Sequence, residues 1–228
     1  MSKISIIIPT IDEAKNLPLL LSDLSIIQKE GEILIIDCGS KDKTIDIAII
    51  YGAKVYKSKE KNRGLQLDIG AKKSNGEWLI FLHADTRLTH HWVGKIKSVL
   101  KGNKNYIYFF KFKINHKKII YRVLEILVYF RSKYFKQPYG DQGLIIHRST
   151  YFKNKGFRGI PLMEDLDFLR RLKNKKDLKQ LNLPILISPR KWERTNIFLQ
   201  AIKNWNFRRR WLKGESIKSV YSDYYKNN

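Results

Sequence analysis

The sequence predicts an α/β fold in which a mostly parallel sheet, flanked by helices, leads into a mixed C-terminal region. Three observations carry this. Residues 1–100 alternate short apolar runs with segments of helical spacing. The runs are continuous rather than alternating, as in strands covered on both faces. Polar residues follow three of the runs: Thr10, Asp37 and Asp85. Open parallel sheets bind ligands at such strand ends.

The elements follow in order. Ile4–Ile8 is a β-branched apolar run ended by Pro9. Asp12–Ile27 carries leucines and isoleucines at helical spacing, with Thr10 or Asp12 as cap. Ile33–Ile36 is a second buried strand, followed by Asp37 and a turn at Gly39-Ser40. Lys43–Tyr51 reads as a helix, Ala53–Tyr56 as a strand, Gly64–Lys73 as a helix and Trp78–Leu82 as a strand ending at His83-Ala84-Asp85. Beyond residue 100 the pattern weakens. Tyr106–Ile114 reads as a strand and Ile119–Tyr134 as an amphipathic helix. Gly140–His147 reads as a loop and short strand, and Asp165–Leu172 and Ala201–Leu212 as helices. Residues 1–228 are expected to form one domain, with a ligand-binding half at 1–100 and a second half at 101–228.

The single cysteine, Cys38, allows no internal disulfide and suits a reducing compartment. The opening residues do not read as a secretory signal. No run approaches the roughly 20 apolar residues of a membrane span. These features predict a cytoplasmic protein, peripheral at the inner face of the cell membrane at most. The net charge of +24 has two readings: attraction to a polyanion, or a general preference for lysine spread along the chain. Near the C-terminus Arg190, Arg194, Arg208, Arg209 and Arg210 alternate with Trp192, Trp205, Phe207 and Trp211. That interleaving suits an anionic membrane surface or stacking on single-stranded nucleic acid.

Asp37-Cys38-Gly39-Ser40-Lys41-Asp42-Lys43-Thr44 joins a buried strand to a helix. Its strand-end carboxylate can accept from a nucleobase or ribose; taken alone, a plain Asx turn before a helix is the better explanation. Asp85 can hold a divalent ion that bridges diphosphate oxygens, or cap a helix starting near Thr89. Glu164-Asp165 opens an apolar helix, where the macrodipole favours carboxylates; a general base is the functional alternative.

Together these segments resemble glycosyltransferase family 2. Ile6–Leu17 is similar to the family's opening strand and loop, and Asp37–Thr44 to its Asp-x-Gly-Ser-x-Asp-x-Thr element. Asn62-Arg63-Gly64 and Gly70-Ala71 fall at its Arg-Gly and Gly-Ala segments, Gly76–Thr86 at the strand leading to Asp-x-Asp, and Met163-Glu164-Asp165 at its late Glu-Asp pair. His83-Ala84-Asp85-Thr86, Gly140-Asp141-Gln142 and Arg190–Arg194 resemble a small bacterial subgroup associated with radical-SAM or selenium-domain proteins.

The resemblance implies a GT-A fold and transfer of a sugar from a UDP- or GDP-sugar to a hydroxyl or carboxyl acceptor, with inversion. It implies Mg²⁺ or Mn²⁺ as cofactor, held by Asp85. His83 replaces the first carboxylate of Asp-x-Asp, so the metal assignment carries over to Asp85 alone. Pro9, Thr10, Glu13, Asp37, Arg63, Ala84 and Asp85 would contact the donor. Asp37 and Asp85, read as ends of neighbouring strands, would line one cleft. Asp141, Gln142, Glu164 and Trp192 would face a small-molecule or lipid-linked acceptor, and Asp165 would be the general base. An anionic membrane surface is the expected further partner, and nucleic acid is not.

Two rival readings are a nucleotidyltransferase and a basic membrane- or nucleic-acid-binding protein on a degenerate nucleotide-binding fold. The first usually needs a glycine-rich loop after the first strand, and Thr10–Asn16 contains no glycine. The second leaves the carboxylates at three separate strand or helix ends unexplained.

Overall fold

The structure, a computed structural model, describes residues 3–27, 30–89, 91–189 and 197–226. Its N-terminal half alternates β1 (Ile4–Thr10), α1 (Leu17–Leu24), β2 (Gly31–Asp37), α2 (Thr44–Ile50), β3 (Lys54–Lys57), α3 (Arg63–Lys73) and β4 (Trp78–Phe81). The remainder comprises β5 (Thr86–Leu88), α4 (Trp92–Leu100), β6 (Ile107–Ile114), α5 (Ile119–Lys133), β7 (Leu144–His147) and α6 (Arg148–Lys153). It ends with α7 (Glu164–Arg171), β8 (Leu178–Ile187), α8 (Ile197–Leu212) and α9 (Ile217–Lys226).

The strands form one eight-stranded sheet, in the order β3-β2-β1-β4-β7-β6-β8-β5. β3, β2, β1 and β4 run parallel, β7 is antiparallel to both β4 and β6, and β5 is antiparallel to β8. The sheet is parallel where the sequence alternates strand with helix and mixed where it does not, as expected.

Period-two geometry sends β1 side chains to two cores. Ile6 and Ile8 pack with Leu17, Leu21, Trp92 and Leu124 on one face. Ile7 packs with Leu34, Leu67 and Phe168 on the other. At Gly70 of α3 a Cβ would lie 2.3 Å from Ile7 Cγ2, so only glycine lets this helix seat so closely on β1. A third cluster joins α8 and α9 to the loop before α7 through Phe207, Val220 and Leu162. Among the described residues no helix is long and apolar enough to cross a membrane.

Several elements differ from expectation. The helix expected over Asp12–Ile27 spans only Leu17–Leu24, with a 3₁₀ turn at Ser25–Ile27. Asp12 adopts φ +51°, and the backbone N–H groups of residues 12–14 turn to the loop after β2 instead of entering a helix. β5 and β8 were not expected. β8 carries Lys179, Gln180, Asn182 and Pro184 among its apolar residues. Pro184 falls just past a register irregularity against β6, a position where a ladder tolerates a residue without N–H.

Candidate active site

The carboxyl ends of β1, β2 and β4 place the predicted residues at one edge of the sheet. Asp37, last in β2, is fully buried. Its Oδ2 accepts from Thr10 Oγ1 at 3.0 Å, and its Oδ1 accepts from Ser40 N–H at 2.9 Å. Gly39, at φ +75°, makes the turn that brings Ser40 back to it. Ser40 Oγ in turn accepts from Asp12 N–H at 2.8 Å, and Asp12 Oδ1 accepts from Lys41 N–H at 2.7 Å. Thr44 Oγ1 and Asp42 Oδ2 take the N–H groups of Glu13 and Ala14. The two strand-end loops are thereby tied into one unit.

Buried Gln66 of α3 extends the tie, donating through Nε2 to the carbonyls of Ile36 (2.7 Å) and Thr10 (3.1 Å). Pro9, Thr10, Glu13, Lys61, Arg63, Ala84 and Asp85 line an open cleft of about 770 Å³ above this unit. Asp37 does not line it. β1 separates β2 from β4, so Asp37 and Asp85 are not on neighbouring strands, and Asp37 lies behind Thr10 and Ser40.

A second cleft, with an empty volume of about 1140 Å³, adjoins the first and shares Arg63, His83, Asp85 and Pro161 with it. Its lining also includes Tyr139, Asp141, Asp165, Asn204, Arg208 and Tyr224. Met163 stands just before α7 in the left-handed region at φ 63°, a costly conformation for a non-glycine residue. The next two side chains then diverge. Glu164 is 1% exposed and its Oε1 accepts from Arg63 Nε at 2.5 Å. Asp165 Oδ2 accepts from Gly140 N–H at 2.7 Å, and its Oδ1 from Leu166 N–H at 2.6 Å. A Cβ on Gly140 would lie 3.1 Å from His83 Nε2 and 3.6 Å from Asp165 Oδ2, so these two groups face each other across the glycine.

Burial pushes the Glu164 carboxyl above the ordinary range against the pull of Arg63. Burial also opposes the Arg63 charge, but the Glu164 and Asp165 carboxylates outweigh it and the guanidinium is held more firmly protonated than usual. Arg63 therefore remains a cation on the wall common to both clefts. The loop before α7 is fixed to α3: Asn62 Nδ2 donates to Gly159 O at 2.9 Å, and Gly64 N–H to Ile160 O at 3.3 Å.

Among the described residues no cluster of three or more His, Cys, Asp or Glu side chains is arranged to hold a metal ion. Asp85, with His83 two residues before it, offers one carboxylate and one imidazole on the shared wall. Of the two, the carboxylate is the group that suits Mg²⁺, which needs only one or two carboxylates where ligand oxygens and water complete its coordination.

Gln142 is fully buried, its Oε1 accepting from Ser132 Oγ at 2.6 Å and its Nε2 donating to Phe110 O at 3.2 Å. It braces the Tyr139–Gly140 loop and does not line either cleft. Asp141 does line the second cleft. Trp192, with Arg190 and Arg194, lies outside the described residues. Arg208 and Arg210, expected on a basic surface, are engaged within the protein. Arg208 donates to Tyr139 Oη at 3.1 Å and also bonds Gln137, and Arg210 pairs with Glu215 and Asp223. Sequence reasoning missed Lys61, Gln66, Tyr139, Asn204 and Tyr224. A lone lysine in a lysine-rich chain carries no signal, and the other four are brought in by long-range packing.

The model of the family described as glycosyl transferase family 2 matches residues 5–159. A 4,4'-diaponeurosporenoate glycosyltransferase of Staphylococcus haemolyticus is 37% identical over 94 residues, 38% of this chain and 25% of that protein. A PGL/p-HBAD biosynthesis glycosyltransferase of Mycobacterium tuberculosis is 36% identical over 92 residues, 37% of this chain and 36% of that protein. The chain thus spans about a third or less of the length of these relatives. S. aureus TarS in complex with UDP-GlcNAc has a similar fold, with TM-score 0.64 and 16% identity over 82% of this chain and 58% of that one. Glucosyl-3-phosphoglycerate synthase of M. tuberculosis, solved with Mn²⁺, UDP and glucosyl-3-phosphoglycerate, gives TM-score 0.59 and 17% identity over 80% of this chain and 70% of that one.

Proposed function

The chain belongs to glycosyl transferase family 2, and from that premise we propose that it transfers a sugar from a UDP- or GDP-sugar to a hydroxyl or carboxyl acceptor, with inversion at the anomeric carbon. The observation that carries the reading is the common wall of the two clefts. Arg63, His83 and Asp85 belong to both, so a donor in the first would present its diphosphate and sugar at the mouth of the second. Pro9, Thr10, Glu13 and Ala84 would contact the nucleotide, while Asp37 would act indirectly by holding Thr10 and Ser40 in place. Arg63, a planar cation at the junction, suits the diphosphate.

Asp85 would hold Mg²⁺ or Mn²⁺ together with the diphosphate. That ion supplies neutralisation of the charge on the departing diphosphate. The chain's own residues do the rest. Asp165, in the second cleft near His83 of the shared wall, would take the acceptor's proton, and Gly140 N–H fixes the orientation of its carboxylate. Asp141 would meet the acceptor, while Gln142 and Glu164 would keep the loop and α7 in position. We further propose a lipid-linked acceptor and a peripheral station on an anionic membrane, supported by the exposed apolar and basic side chains of α5. Family membership favours this reading over nucleotidyl transfer and over a purely basic binding module.

Thermal shift with UDP and GDP, with and without Mn²⁺, tests the donor site. A ligand at 100 times its dissociation constant stabilises by about 2.7 kcal/mol. Asp85→Ala is expected to abolish the Mn²⁺-dependent part and keep the metal-independent part. An undiminished Mn²⁺ effect in that variant overturns the metal assignment.

A further inference from the structure

A groove with an empty volume of about 1210 Å³ runs between α5 and α8 and opens into the second cleft, sharing Tyr139, Asp141, Asn204 and Arg208 with it. Its character changes along its length. Away from the cleft the floor is Phe112, Leu124 and Val128, all buried, and the lips are Leu127, Phe130 and Trp205, each about half exposed. At the cleft end the lining turns polar. There the Arg208 guanidinium is fixed by Tyr139 Oη and Gln137 Oε1, yet its buried Nε has no hydrogen-bond partner among the described residues. Leaving a buried donor unsatisfied is costly, which favours a ligand acceptor at this point.

We propose that this groove seats the apolar chain of an amphiphilic acceptor, with the headgroup in the second cleft before Asp165 and an anionic or carbonyl oxygen of that headgroup beside Arg208. The assignment rests on the transferase reading and deepens it by assigning the site that holds the acceptor's chain. Continuity decides the occupant: whatever fills the groove is joined, through four shared residues, to whatever reacts in the cleft. The floor offers a chain no polar partner, so length and hydrophobicity set affinity there. Charge argues against a second copy of this protein. Lys133 and Arg209 are exposed beside the lips, and self-pairing would bring like charges together in a chain of net charge +24. The same cations suit the headgroups of a membrane from which an amphiphile is drawn.

Dansylated undecanoic acid, titrated below its micelle concentration against the full chain, tests this, with dansylated glycine as the chainless control. The long probe is expected to bind with a blue shift and the control to leave the spectrum unchanged. Shortening the chain should weaken binding by close to fourfold for each buried methylene, the equivalent of about 0.8 kcal/mol. Leu127→Gln and Trp205→Gln alter exposed lips that belong to neither cleft. Each should weaken the long probe by about fivefold or more through lost apolar burial, with the Mn²⁺-dependent UDP thermal shift unchanged. Equal binding of both probes, or unaltered binding in both variants, overturns the proposal. So does a dimer in sedimentation equilibrium that Leu127→Gln dissociates, because the groove is then an interface between copies. Long-probe binding alongside absent UDP and GDP responses in the wild-type protein sinks the donor reading and leaves the groove assignment standing.

Discussion

Arg63 Nε and Glu164 Oε1 lie 2.5 Å apart although 101 residues separate them. The pair joins the first residue of α3 to the first residue of α7. It therefore fixes the helix that carries Asp165 against the helix that borders the donor cleft. The two partners are unequally buried, at 34% and 1% side-chain exposure. Arg63 can turn toward water when its partner is lost, and Glu164 cannot.

This asymmetry gives a pH-dependent prediction. Arg63→Met keeps the apolar stem and strands the buried carboxylate. Breaking a buried pair costs about 3–5 kcal/mol, and the partial exposure of Arg63 places this one toward the lower end. Burial already raises the Glu164 pKa, and losing the cation raises it further. The native state then binds the Glu164 proton more tightly than the unfolded state. The stability of Arg63→Met must therefore fall as pH rises above the ordinary glutamate value of 4.5. Urea denaturation across that window should show the decline, and Arg63→Met/Glu164→Gln should remove it. A flat profile in the single variant sinks the argument.

Gly140 separates His83 from Asp165, and its N–H holds the Asp165 carboxylate. In Gly140→Ala the new methyl would press on His83 Nε2 from 3.1 Å, tighter than ordinary van der Waals contact. A displacement of about 1 Å at a reacting group can cost about 10²-fold in rate. Turnover should fall while Mn²⁺-dependent UDP binding stays within about twofold, a difference of only about 0.4 kcal/mol. Equal losses in both would mean that Gly140 supports the whole fold and not the base.

Exposed Lys117, Lys118 and Lys133 flank the outer face of α5, which also exposes Ile119 and Ile126. Each basic side chain near an anionic surface contributes about 1 kcal/mol. Co-sedimentation with phosphatidylglycerol vesicles should be strong at low salt and fall steeply as salt rises. Replacing the three lysines with glutamine should abolish it, whereas Arg210→Gln should change it little because Arg210 is already paired with Glu215 and Asp223. Failure to bind such vesicles even at low salt removes the peripheral station.

The parallel half of the sheet was legible because β1, β2 and β4 are covered on both faces and so read as unbroken apolar runs. β5 has three residues, and β8 is interrupted by Lys179, Asn182 and Pro184; neither carries a local pattern that marks a strand. The same division runs through the candidate site. Thr10 and Asp85 stand directly after legible strands, so topology alone places them at the ligand edge. Tyr139, Asn204 and Tyr224 reach the second cleft through the packing of α8 and α9, which no local periodicity encodes. The burial of Asp37 was hidden for another reason. A strand-end aspartate looks the same in sequence whether it faces solvent or, as here, accepts from Thr10 and Ser40.

Asp165 offers the sharpest test of mechanism. The proposed transfer needs one group to take the acceptor proton, and the second cleft has two candidate carboxylates besides Asp85, Asp141 and Asp165. Asp165 is the better oriented. Gly140 N–H and Leu166 N–H each hold one of its oxygens, so the carboxylate is fixed and half-buried at the start of α7. The substitution must be chosen with those two bonds in mind. Asp165→Asn preserves shape but offers a single acceptor oxygen, so one backbone N–H loses its partner, a cost of about 1–3 kcal/mol in stability. That loss is separable from chemistry by measuring both. If Asp165 is the base, nucleotide release from UDP- or GDP-sugar in the presence of acceptor should fall by about 10²–10⁴-fold, with the Mn²⁺-dependent UDP thermal shift retained. Asp141→Asn should lower turnover far less and raise KM for the acceptor. Single displacement further requires that the product carry the inverted anomeric configuration, which ¹H NMR of the newly formed linkage reads directly. Near wild-type turnover in Asp165→Asn, or a product with the donor's configuration, excludes Asp165 as the base of a single displacement.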